Sequence, residues 1–248
     1  MSKEHLFPQW LILRTGTQKT GIRWGKKPGV PALAATFPLC VECNAAFGRD
    51  LEGPTCRLFE DIERNRGLND EEAELLVRWM WKIKGLAWMA AHPDGQYSSK
   101  YALRERVLLP IDEIRGRLVL GLALVDRQHP DSTDLPMGVD SLTEHDAIFV
   151  SGVFSRIAMM VVLDRFEAMM PVQFERYHLA QKRNPLNAVK VYYPRRSFRD
   201  DVEAVGVTTM ASLPLSIAHD RLALEFQGPA NQRLHPTAAG AAAGEAQR

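Results

Sequence analysis

From Asn69 to Ala91 large apolar residues recur every three or four positions: Leu75, Leu76, Trp79, Ile83 and Leu86, with Met80 beside them. That period predicts an amphipathic helix. Asn69 is placed as its N-cap, Glu72 as the far half of a capping box, and His92-Pro93 as its stop. Trp79, Trp81, Trp88, Met80 and Met89 crowd this helix. At helical spacing they read as core residues and not as a ligand pocket. Upstream, "CNAAFGRDLEGPTCRLFEDIERNRG" predicts a short helix, a break at Gly53-Pro54 and a second helix ending at Gly67. A further helix is expected over Ser99–Leu109, before Pro110.

Beyond Pro110 the pattern changes to strands: "RLVLGLALVDR", "DAIFVSGVFSRIAMMVVLDRF" and "NAVKVYYP". The β-branched content around Val150 and Val161 predicts two paired strands linked near Ser155. The fold class expected is α+β, with central helices over residues 67–110 and a β-rich C-terminal region with its own core over 111–227. The last stretch, 228–248, is Ala/Gly-rich and nearly without large apolar residues after Leu234, so it is expected to be disordered.

Composition adds exclusions. Hydrophobic residues make up 46% and charged residues 25%, which is ordinary for a globular domain, and the net charge of +1 exerts no global pull on nucleic acid or membrane. Any electrostatic argument is therefore local. The three cysteines, the lack of an apolar N-terminal segment and the shortness of "RLVLGLALV" point to a cytoplasmic chain with no membrane partner. Oligomeric state is not legible.

Local charge is more telling. No acidic residue stands between His5 and Val41, while Arg14, Lys19, Arg23, Lys26 and Lys27 do. An acid-free, Gly/Pro-punctuated segment suits either a solvated loop or contact with a nucleic-acid backbone. Arg195, Arg196 and Arg199 form a second basic group. Cys40-x-x-Cys43 is open to three readings: half of a zinc site, a redox dithiol or two incidental thiols. The expected surroundings of a redox dithiol, a βαβ pattern, are not evident around Leu39–Asn44.

Glu4-His5 followed by "FPQWL", and then Cys40-x-x-Cys43-Asn44 before a helix, resembles the HNH endonucleases of the ββα-metal superfamily, in particular a bacterial group with both segments. The resemblance covers about the first sixty residues, so residues 1–66 are expected to be an HNH-like ββα-metal region. It implies a nuclease hydrolysing phosphodiester bonds, DNA in preference to RNA, with His5 as general base. Glu4 and Asn44 would bind a catalytic Mg²⁺ or Mn²⁺, and Cys40 and Cys43 a structural Zn²⁺. The basic stretch would lie along the nucleic-acid backbone. With Glu4 already so near Met1, no upstream Cys-x-x-Cys completes the zinc ligands, and no asparagine stands between His5 and Cys43. The chain is thus expected to be an N-terminally truncated or degenerate member, inactive in the extreme case. The alternative is a non-catalytic binding or interaction protein derived from that family, with the helix near Trp79 and the β-rich region as its partner surface and Arg195, Arg196 and Arg199 serving it.

Overall fold

In the computed structural model of the chain, β1 (Ser2–His5) pairs antiparallel with β2 (Thr36–Leu39), Glu4 opposite Phe37 and His5 opposite Thr36. The structure describes residues 1–18, 30–91, 107–108, 111, 114–130, 137–139, 148–180 and 191–226. Between the two strands lies α1 (Gln9–Thr15), closed by Gly16 at φ 70°, a left-handed turn that suits glycine.

β2 runs directly into helix. Cys40 caps α2 (Val41–Ala46), the winding widens into a π-helical stretch over Phe47–Glu52, and it resumes as α3 (Gly53–Glu63). The break expected at Gly53-Pro54 is absent. Pro54 stands in the first turn of α3, and the wider winding before it accommodates the missing N–H. α3 also stops at Glu63, ahead of the expected Gly67, and Asn65 takes the left-handed φ of 56° beyond it. Gly67 has a different task. A Cβ there would collide with the Val191 side chain and the Tyr192 carbonyl, because Leu68 and Tyr192 exchange both backbone hydrogen bonds at 2.7 Å. Tyr192 belongs to the expected strand "NAVKVYYP"; it forms this isolated bridge only, and residues 187–190 lie outside the described residues.

The central helix, α4 (Asp70–Ala91), has the predicted start. The Glu72 N–H donates to Asn69 Oδ1 at 2.9 Å, and the Asn69 N–H donates to Glu72 Oε2 at 2.7 Å. Trp79, Met80, Trp81 and Trp88 are buried along it, as their spacing predicts.

Six strands follow: β3 (Leu118–Arg127), β4 (Met137–Val139), β5 (Val150–Phe154), β6 (Ile157–Leu163), β7 (Glu175–His178) and β8 (Ser197–Asp200). Their order is β4-β5-β6-β3-β7, with β8 joining β3 in parallel beyond β7. β5 and β6 form the expected hairpin, with Ser155 at φ 56° in its turn. Successive side chains alternate between the two faces, as the pleat requires. Leu118, Leu120 and Leu122 join Met159 and Val161 in a core shared with α4 and with Leu6, Leu11 and Phe59 of the N-terminal elements. Val119, Ala123, Met160 and Val162 face the opposite way and are covered by Ala204 and Leu215 of a long helix, α5 (Asp201–Phe226). The result is an α+β architecture in which the sheet lies between α4 and α5. The C-terminal region holds one core by itself and shares the other.

α5 has a start signal of its own. The Glu203 N–H donates to Asp200 Oδ1 at 2.9 Å and the Arg199 N–H to Glu203 Oε2 at 2.7 Å, an arrangement like a capping box but closed one residue earlier, and Pro214 is carried inside the helix. At the start of α4, the fully buried Arg115 binds Asp70 and Glu74 and donates to the Ala180 carbonyl at 2.9 Å, which ties α4 to the end of β7. Most of the helix expected over Ser99–Leu109, and the whole 228–248 tail, lie outside the described residues. No helix among the described residues is long and apolar enough to cross a membrane.

His219 fastens α5 to the sheet. Its Nδ1 donates to the Leu215 carbonyl at 2.8 Å, while Nε2 accepts the Leu163 N–H at 3.2 Å, so the ring is held neutral. Burial is the main cause that pushes its pKa down to about 4, with Lys84 and Arg165 adding repulsion. Two outcomes are expected. Gly67→Ala lowers stability by about 1–3 kcal/mol, read as a lower urea midpoint at unchanged slope. For His219 the folded pKa lies below the unfolded one, so its contribution is complete above about pH 6.5 and is lost as pH falls towards 4. That loss is on the order of 3 kcal/mol, and His219→Gln should flatten this limb of a pH-stability curve.

Candidate functional site

Lysine is expensive to bury, yet Lys82 is 0% exposed on α4, one turn beyond Trp79. Two carboxylates compensate it. Its Nζ donates to Glu4 Oε1 and, at 2.5 Å, to Glu52 Oε1, and it sits 5.5 Å from the centroid of the Phe47 ring. Glu52 is held from its other side: the indole N–H groups of Trp10 and Trp79 each donate to Oε2 at 3.1 Å. The rings below form a continuous aromatic contact. Trp10 meets Phe59 at 5.1 Å, Phe59 meets Trp79 at 5.3 Å, and Trp79 meets Phe154 of the sheet at 4.9 Å. One polar network thus joins β1, α1, the π-helical turn and α4 over an aromatic floor.

The site expected from Glu4, His5 and Asn44 lies at the edge of this network. Asn44, in α2, reaches back to β1, its Nδ2 donating to Ser2 Oγ at 3.1 Å and to the Lys3 carbonyl at 3.2 Å. With both donors used on the strand, its carbonyl oxygen is the end left for a cation. Glu4 and His5 are adjacent in β1, so their side chains leave opposite faces of the strand. Glu4 turns inward to Lys82 with one oxygen engaged and the other remaining; His5 is half-buried beside Thr36. Glu4 and Asn44 stand on neighbouring elements, and each carries an oxygen of the kind a hard cation takes. That donor set suits a hard cation that keeps most of its waters, such as Mg²⁺ or Mn²⁺.

Cys40 and Cys43 differ from the zinc expectation. Their sulfurs are joined as a disulfide, with Cα atoms 5.2 Å apart, and a disulfide offers no thiolate to a metal. Among the described residues no group of three or more His, Cys, Asp or Glu stands together to hold a metal ion. The basic residues are divided. Arg14 is paired with Glu63, while Lys19, Arg23, Lys26 and Lys27 lie outside the described residues. In the second basic group, Arg196 donates to the carbonyls of Val172 and Phe174, and Arg199 pairs with Asp200 at 3.0 Å.

Lys82 and Glu52 were not anticipated from the sequence. The signal for Lys82 was there: it follows Trp79 by three positions along the apolar stripe of α4, where a charge demands an internal partner. Nothing local marks Glu52, which lies 30 residues away in the chain. The chain matches no known family model, curated protein or solved structure.

Lys82→Met strands two carboxylates in a buried setting and is expected to destabilise the protein by about 3–5 kcal/mol. The double variant Lys82→Met/Glu52→Gln should lose less than the sum of the two single losses, because the amide relieves the stranded charge while still accepting from the indoles. Chemical denaturation of the four proteins measures both effects.

Proposed function

We propose that the N-terminal region is an HNH-type, metal-dependent nuclease site that hydrolyses phosphodiester bonds of nucleic acid, DNA in preference to RNA. One observation carries the reading: β1, β2 and α2 bring Asn44 onto the strand that bears Glu4 and His5, its amide reaching the Lys3 carbonyl 41 positions back in the chain.

In this reading His5 takes a proton from the attacking water, a task suited to an imidazole near neutral pH. Glu4 and Asn44 hold the catalytic cation through one carboxylate and one amide oxygen, and Lys82 fixes the orientation of the Glu4 carboxylate. The cation, when bound, supplies positive charge against the leaving oxygen. The acid-free segment carrying Lys19, Arg23, Lys26 and Lys27 follows the nucleic-acid backbone. A second reading, a non-catalytic nucleic-acid-binding protein, is favoured by the capture of Glu4 in the Lys82 pair. It keeps the basic segment and dispenses with hydrolysis.

Supercoiled plasmid separates the two. The nuclease reading expects nicking with Mg²⁺ or Mn²⁺, none with chelator, and at least about a 100-fold loss in His5→Ala. Equal nicking by His5→Ala and the unmodified chain contradicts the assignment. Salt-sensitive binding without nicking selects the binding protein.

A further inference from the structure

We propose that Cys40 and Cys43 form a reversible redox couple, opened by thiol–disulfide exchange with a low-molecular-weight dithiol that attacks Cys40. The pair stands where strand meets helix: β2 ends at Leu39, Cys40 is the N-cap of α2, and Cys43 lies in its first turn. The sequence around it does not announce this junction, because β2 pairs with the distant β1 and not within a βαβ unit. The two sulfurs are also unequal. Cys40 is exposed and Cys43 half-buried, so a soluble reagent meets Cys40 first. The Cys43 N–H donates to Cys40 Sγ at 2.9 Å, a contact that favours negative charge on that sulfur once the bridge opens.

The bridge is not placed as a staple. It closes a ring of Cys-Val-Glu-Cys alone, with a sequence separation of 3, and short rings restrict the unfolded chain least. A solvent-reachable bridge that restrains little belongs with the exchangeable disulfides, not with the structural ones. Cys56, the third cysteine, is free in α3 and takes no part.

The chemistry balances with a dithiol as the reductant. One of its thiolates attacks Cys40 Sγ; the Cys40–Cys43 bond breaks, and its electron pair leaves on Cys43, which takes up a proton. The reagent's second thiol then displaces Cys40. The products are the protein dithiol and the reagent's cyclic disulfide, with two electrons and two protons delivered to the protein. The nuclease reading is not needed for any of these steps.

The test uses the full chain, equilibrated at pH 7 in mixtures of reduced and oxidised dithiothreitol, with free thiols trapped by maleimide and counted by intact mass. The count should pass in one reversible step from one thiol, Cys56, to three, and in Cys56→Ser from none to two. Circular dichroism should be the same before and after the step. With reduced glutathione instead, the mixed disulfide should map to Cys40. Three thiols at every poise, opening of the bridge only as the fold is lost, or a glutathione adduct on Cys43 each overturn the proposal.

Discussion

The charge of Lys82 is the constraint on which the N-terminal half depends. An ammonium with no solvent exposure needs carboxylates around it, and Glu4 and Glu52 provide them from elements 78 and 30 residues away in the chain. Meeting that requirement places β1 against α4 and sets the π-helical turn that carries Glu52. The Trp10 and Trp79 indoles complete the second carboxylate and bring the aromatic floor with them. Trp79 then meets Phe154, so the arrangement is transmitted to the hairpin of the sheet.

β1 therefore serves two purposes that compete for one side chain. Glu4 anchors the strand internally through Lys82, while its neighbour His5 leaves by the opposite face and Asn44 fastens the backbone just before Glu4, at the Lys3 carbonyl. A strand of four residues would be a poor platform for a catalytic group if it were held by its pairing with β2 alone. The buried ion pair and the Asn44 bridge supply the missing rigidity. The same helix that carries Asn44 begins at the Cys40–Cys43 bridge, so the chemistry of that pair and the seating of Asn44 meet within one turn.

What the sequence revealed follows physical range. The α4 start was legible because Asn69 and Glu72 satisfy each other within three residues, and the β5–β6 hairpin because its strands pair across the short turn at Ser155. A similar local signal marks the start of α5, where Asp200 accepts from the Glu203 N–H, but Pro214 and the apolar run on both faces of the helix masked its period. The supposed break at Gly53-Pro54 misled for the opposite reason, since a π-helical turn absorbs a proline that an α-helix would not. Glu4, His5, Cys40, Cys43 and Asn44 could be grouped from their motifs. The long-range ion pairs could not: the Lys82 pairs with Glu4 and Glu52, and the Arg115 pairs with Asp70 and Glu74, form only when distant segments pack.

The central proposal, that Glu4 and Asn44 hold a cation at the β1–α2 junction with His5 on the same short strand, is tested most directly by adding Mn²⁺ to the isotope-labelled chain and following paramagnetic broadening by NMR. The account predicts that the Asn44 side-chain amide and the His5 ring broaden first, ahead of every other resonance. Broadening that begins elsewhere, or none at millimolar Mn²⁺ where a weak site of two protein ligands would fill, contradicts it.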